Sequence, residues 1–77
     1  MSFRGPLFDS LSVFENIAFP LVENYGYSLS SAKKKVQYVL DLVELTEFED
    51  KMPFQLSGGQ QKRVGLARAI VTEPKYI

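Results

Sequence analysis

Residues 56–70 read Leu-Ser-Gly-Gly-Gln-Gln-Lys-Arg-Val-Gly-Leu-Ala-Arg-Ala-Ile. Ser57 is a favourable N-cap residue, and the residues after the glycines are mostly helix formers with apolar side chains at helical spacing. The sequence therefore predicts a helix that begins at Gly58. Its first turn would present unpaired backbone N–H groups and the positive end of the helix dipole, and glycines let a ligand approach the backbone closely. This pattern favours a phosphate group as the ligand.

Length and composition limit what else the chain can be. It has 77 residues, of which 45% are hydrophobic, and it contains no cysteine and no histidine. One small globular domain is therefore the most that we expect. Disulfides and thiolate metal sites are excluded, and the commonest metal ligand is absent, so we predict no metal site. No signal peptide and no long apolar run is recognisable, and we interpret the chain as intracellular.

The zero net charge hides an uneven distribution of charge. Residues 1–31 and 32–50 are each acidic, with a net charge of −2, whereas residues 51–77 carry five basic residues and one acid. The segment that holds Gly58 and Gly59 is thus the basic one. This distribution favours a partner that carries phosphate.

Helical periodicity predicts three main helices, near residues 13–25, 31–45 and 58–72. Asp9, Ser10 and Ser12 are candidate N-caps for the first helix, and residues 28–31 are candidates for the second. Pro20 should kink the first helix. Strand signals are nearly absent, so the fold class that we predict is all-α, a small three-helix subdomain without a complete sheet. The expected inward faces are Phe14, Ile17, Ala18, Leu21 and Tyr25; Ala32, Val36, Val39, Leu40 and Val43; and Val64, Ala67, Ile70 and Val71.

Residues 56–70 closely resemble the signature motif of ATP-binding-cassette (ABC) ATPases. Residues 8–21 are similar to the segment that follows the glutamine loop in that family, and they are closest to the branch that drives phospholipid or Mce-type lipid transport. Residues 69–77 resemble the end of the signature helix and the start of the Walker B strand. The resemblance thus implies that residues 1–77 are the helical subdomain of one nucleotide-binding domain, and that the whole protein transports a lipid.

The chain also departs from the family pattern. It contains no Gly-x-x-x-x-Gly-Lys sequence, no strand ending in Asp-Glu and no switch histidine. Phe3 or Arg4 stands near the place of the expected loop glutamine. Glu73 in Thr-Glu-Pro lacks the aspartate that would bind magnesium, and we interpret it as a surface acid. The chain alone is therefore expected to lack catalytic residues, to hydrolyse no ATP, and to bind neither ATP nor Mg²⁺ stably.

The resemblance implies a role for the helix start in a two-subunit site. Ser57, Gly58 and Gly59 would contact the γ-phosphate of ATP held with Mg²⁺ by a second nucleotide-binding subunit, and Gln60 would lie near the ribose or phosphate. Lys62 and Arg63 would either add positive potential or be ordinary solvated side chains.

A transmembrane permease is the second partner that the resemblance implies. Phe8, Asp9, Phe14 and Glu15 would lie near the groove that receives a helix of that permease, which would place the protein on the cytoplasmic face of the membrane. The alternative is that the phenylalanines belong to the core.

Three other interpretations are compatible with parts of the sequence. Residues 60–68 could be the recognition helix of a DNA-binding module, although zero net charge gives little affinity for a nucleic-acid backbone, and no nucleic-acid partner is expected. A DNA-repair ATPase shares the signature, but it would insert a long coiled coil before it. A purely structural fragment would explain Ser57 as a cap, but not two glycines that each lower helix stability.

Overall fold

The computed structural model describes residues 7–72, and three α-helices form most of this part of the chain. They are α1 (Val13–Tyr25), α2 (Leu29–Leu42) and α3 (Gly58–Thr72), and short 3-10 turns lie at Thr46–Phe48 and Pro53–Gln55. No strand occurs between residues 7 and 72. The predicted all-α, three-helix fold is confirmed.

Local capping determines where α1 begins and ends. Of the three candidate N-caps, Ser12 is the one used: its Oγ accepts a hydrogen bond from the Glu15 backbone N–H, and the Glu15 carboxylate accepts one from the Ser12 N–H. Gly26 ends the helix in the left-handed region, with φ of 71°. Pro20 lies inside a helix that is continuous from Val13 to Tyr25.

The predicted bounds of α2 were wrong at both ends. The helix begins at Leu29, directly after its N-cap Ser28, and it ends at Leu42 rather than Leu45. Glu44 adopts φ of 61°, and the Leu45 N–H donates to the Leu40 carbonyl at 2.8 Å. This hydrogen-bond pattern is a Schellman motif, which normally places glycine where Glu44 stands. The reversal returns Leu45 to the core, where it is 1% exposed.

The core lies between the three helices, each of which packs against the other two. The predicted α2 face is confirmed in full, since all five of its residues are buried. On the other helices the prediction needs correction, because Tyr25 is half exposed and Phe14 and Ile70 are only partly buried. Val13, Asn16 and Arg68 are buried instead.

Several sequence predictions lie outside the described residues. These are the place of the loop glutamine near Phe3 or Arg4, the surface position of Glu73, and the start of the Walker B strand after residue 72.

Candidate functional site

The start of α3 is closed by a reciprocal pair of hydrogen bonds. The Gln60 N–H donates to the Ser57 Oγ at 3.1 Å, and the Ser57 N–H donates to the Gln60 Oε1 at 2.9 Å. This capping box satisfies one N–H of the first turn and fixes both side chains. The Ser57 hydroxyl uses one lone pair in it, so its own hydrogen can still be donated outward. The side-chain oxygen of Gln60, in contrast, accepts the hydrogen bond from the Ser57 N–H and therefore points toward the start of its own helix.

Gly58 and Gly59 leave an open surface in front of this cap. Both are exposed, and no hydrogen bond to either N–H is found within residues 7–72. A Cβ built at either position would meet no atom within 4 Å. Neither residue has a positive φ, which among the described glycines occurs only at Gly26. The fold of this part of the chain therefore gives no reason for glycine at either position.

The segment before α3 holds the helix start in place. The Gln61 Nε2 donates to the Pro53 carbonyl oxygen at 2.8 Å, and the Met52 N–H donates to the Gln55 Oε1 at 2.8 Å. Pro53 and Leu56 are buried. The exposed residues 57–59 thus follow a segment that is anchored on both sides, and their donors have a fixed direction.

The basic residues of α3 divide into two groups. Lys62 and Arg63 are exposed, and the Arg63 Nη1 lies 3.8 Å from the Glu44 Oε1. Arg68 is only 1% exposed, and burial lowers the pKa of its guanidinium. Arg68 therefore belongs to the core, and Lys62 and Arg63 are the exposed basic residues in the first turns of α3.

A second candidate surface is an apolar groove of about 370 Å³ along α1. Two carboxylates, those of Glu15 and Glu23, are part of its lining. We call it the α1 groove, and its remaining lining residues are Leu11, Phe14, Ala18, Phe19, Val22 and Leu29.

Only two of the four predicted docking residues line this groove. Phe14 and Glu15 line it, and Phe8 contacts the lining residue Phe19 edge to face, with ring centroids 6.0 Å apart. Asp9 lies beside them on an exposed turn. Sequence reasoning missed Phe19 and Val22, although the four-residue spacing of Phe14, Ala18 and Val22 is the signal that indicates a second apolar face on α1.

Residues 7–72 have neither the side-chain grouping of a metal site nor the length and apolarity of a membrane-spanning helix. No group of three or more acidic, histidine or cysteine side chains could hold a metal ion there. No helix in this part is long and apolar enough to cross a membrane.

Residues 7–72 thus form a small three-helix unit whose third helix has a capped, glycine-bearing start, an arrangement that suits an anion. The chain belongs to the ABC transporter family, whose family model matches residues 3–77. The family predicted from residues 56–70 is thereby confirmed. The family match favours this interpretation over a DNA-binding module.

Individual relatives agree with this assignment. The methionine import ATP-binding protein MetN of Carboxydothermus hydrogenoformans is 51% identical over 71 residues, which cover 92% of this chain and 21% of the relative. The spermidine/putrescine import ATP-binding protein PotA of Thermotoga maritima is 46% identical over 71 residues, with 92% and 19% covered. The chain thus spans about a fifth of the length of the curated relatives that it matches.

A solved structure shares the fold. The dimeric structure of MJ0796, a bacterial ABC transporter cassette, superimposes with a TM-score of 0.71 and 38% sequence identity. The match covers 82% of this chain and 28% of that one. About a quarter of that cassette thus has the same fold as most of this chain.

Proposed function

We propose that residues 1–77 are the helical subdomain of the ATP-binding subunit of an ABC transporter, between the glutamine loop and the Walker B strand. The family match over residues 3–77 and the superposition on a cassette support this assignment. The complete subunit would couple ATP binding and hydrolysis to transport across a membrane. This subdomain contributes binding surfaces and no catalytic group.

The observation that carries the proposal is the open start of α3. The Ser57 hydroxyl and the Gly58 and Gly59 N–H groups have hydrogens to donate, and a Cβ built at either glycine would meet no atom of the described residues within 4 Å. One hydroxyl and two amides at the positive end of a helix fit the oxygens of a phosphate. Donors held in fixed positions stabilise the charge that develops on a transferred phosphoryl group, since they need no reorganisation during the reaction.

These donors would act on ATP that another subunit holds. The sequence contains no phosphate-cradling Gly-Lys motif. A helix start without such a loop binds phosphate weakly, so the P-loop and Mg²⁺ of a second nucleotide-binding subunit would bring the nucleotide to Ser57, Gly58 and Gly59. Gln60 would support this site mainly as the cap of Ser57, and Lys62 and Arg63 would add a modest positive potential. The neighbour MJ0796 was solved as a dimer, which agrees with a paired arrangement.

The α1 groove is the surface that we assign to the permease. Its floor is apolar, and Glu15 and Glu23 give it negative charge. A short cytoplasmic helix of the permease with apolar side chains and flanking lysine or arginine residues would complement both properties. Contact there would hold the subunit on the cytoplasmic face of the membrane.

The transported substrate stays a prediction. Residues 8–21 suggested a lipid, but the relatives named above are import proteins for methionine and for spermidine or putrescine. Their names give the lipid no support. They do favour a transporter over a DNA-repair ATPase.

Replacing Gly58 by aspartate in the complete subunit tests the proposed site. A carboxylate and a Cβ would then face the γ-phosphate, and the loss of such a donor set typically lowers turnover about a hundredfold, or about 3 kcal/mol. Nucleotide affinity of the isolated subunit should stay nearly normal, because the P-loop supplies most of that contact. Gln37→Asp, which adds the same charge on the exposed side of α2, is the matched control.

Two results would contradict the proposal. Unchanged turnover of the Gly58→Asp transporter would show that the helix start does not touch the nucleotide. A loss of nucleotide affinity in the isolated subunit, with turnover lowered only in proportion, would show that it acts within its own subunit.

A further inference from the structure

Asn16 is a fully buried polar residue on α1 that neither the phosphate site nor the lining of the α1 groove accounts for. It is 0% exposed and shares the buried face of α1 with Val13 and Ile17. An amide in such a place is tolerated only when its hydrogen bonds are made. Its partners therefore indicate what it does.

All of these partners belong to the turn that precedes α1. The Asn16 Oδ1 accepts from the Phe8 N–H at 2.7 Å, and the Nδ2 lies 3.2 Å from the Phe8 carbonyl oxygen. The same Nδ2 is 3.0 Å from the carbonyl oxygens of Leu11 and Ser12. One side chain thus holds the backbone of Phe8 on both sides and closes the whole turn of residues 8–12.

Ser12 is also held by its capping box with Glu15, but residues 8–10 have few other contacts that could fix them. Phe8, Asp9 and Ser10 are exposed, and one backbone hydrogen bond, from Leu11 N–H to the Phe8 carbonyl, joins the ends of the turn. The position of the Phe8 ring depends on that backbone, and the ring contacts Phe19 of the α1 groove. The amide therefore controls an aromatic pair at the edge of the groove without touching anything that enters it.

We infer that Asn16 is a positioning residue for the permease-docking surface, an inference that rests on the proposed function of the α1 groove. It keeps the turn of residues 8–12 ordered before the partner arrives, so that docking does not have to order it. Ordering even one backbone residue on binding lowers the affinity about tenfold. Loss of the amide should thus weaken docking and leave the nucleotide site unaffected.

The test compares three variants of the complete subunit. Asn16→Asp keeps the shape of the side chain but replaces the Nδ2 donors by an oxygen that faces three carbonyl oxygens. Phe19→Ala removes part of the groove itself. Asn24→Asp makes the same chemical change at an exposed position of α1 and is the matched control.

Three quantities are measured for each variant: affinity for the permease in lipid nanodiscs, nucleotide affinity of the isolated subunit, and hydrogen exchange at the amides of residues 8–12. For Asn16→Asp we expect permease affinity to fall at least about tenfold, exchange to become faster, and nucleotide affinity to stay unchanged. Phe19→Ala should weaken docking without faster exchange at the Ser12 amide, and Asn24→Asp should change nothing.

The other outcomes separate the inference from the function on which it rests. Normal permease affinity of Phe19→Ala would show that the α1 groove is not the permease site, and the inference about Asn16 would then fail as well. Weakened docking of Phe19→Ala together with normal docking of Asn16→Asp would overturn the inference alone. If Asn16→Asp loses nucleotide affinity, Asn16→Ser replaces it and introduces no buried charge. Loss of nucleotide affinity in that variant too would show that Asn16 is a general folding residue, which also overturns the inference.

Discussion

Alanine at position 58 should raise the stability of the chain and lower the activity of the transporter. A Cβ at Gly58 meets no atom within 4 Å, and the backbone there is not in the left-handed region. Alanine is the better helix former and has less conformational entropy to lose on folding, so Gly58→Ala should stabilise the chain by about 0.5 kcal/mol. In a domain of this size that gain corresponds to a rise of about 2–4 °C in melting temperature.

The same methyl group should impair the proposed phosphate contact. It would stand where a phosphate oxygen approaches the first N–H groups of α3. Displacing a reacting group by about 1 Å can lower the rate about a hundredfold. A variant that melts higher but turns over more slowly would show that the glycine serves a ligand and not the fold.

Thermal unfolding followed by circular dichroism measures the first effect on this chain, and ATP turnover of the assembled transporter measures the second. Gly65→Ala is the stability control, since Gly65 lies in the middle of α3 and its Cβ position is equally open. That change should add about 1 kcal/mol. A lower melting temperature for Gly58→Ala would refute the view that the fold has no use for this glycine. Unchanged turnover would refute its role at the phosphate.

Two further predictions concern single residues of the fold, and both are measured as the free energy of unfolding in urea. Glu44→Gly should stabilise the chain by about 1 kcal/mol, because glycine adopts the observed φ of 61° without the steric strain of a Cβ. The variant also loses the exposed ion pair between Glu44 and Arg63, which should contribute little to the free energy of unfolding. If Glu44→Gly leaves that free energy unchanged or lowers it, the ion pair contributes more than we expect. Ser57→Ala should destabilise the chain by about 1 kcal/mol, because the Gln60 N–H loses its acceptor. A stability equal to that of the parent chain would mean that water replaces the cap without loss.

Local signals in the sequence were sufficient for much of the fold. Ser57, the two glycines and the helix formers after them predicted α3 with its observed bounds, and periodicity predicted the bounds of α1, which Gly26 ends in the left-handed region. Such signals predict helix ends correctly because a helix cap, including a left-handed glycine, depends only on residues within one or two turns of it. The apolar face of α2 followed from periodicity, since its residues face the core at regular helical spacing. The same fifteen residues around Ser57 also identified the family.

Tertiary packing decided the features that those signals could not show. Leu45 fits the apolar spacing of a longer α2, but the chain reverses at Glu44, a non-glycine residue in the left-handed region, because the reversal buries Leu45. Asn16 and Arg68 are polar residues that the fold buries, and the apolar periodicity of their helices did not predict this. The α1 groove likewise exists only once the turn of residues 8–12 and the start of α2 lie beside α1. Burial and surface shape are properties of several segments together, and no single stretch of sequence contains them.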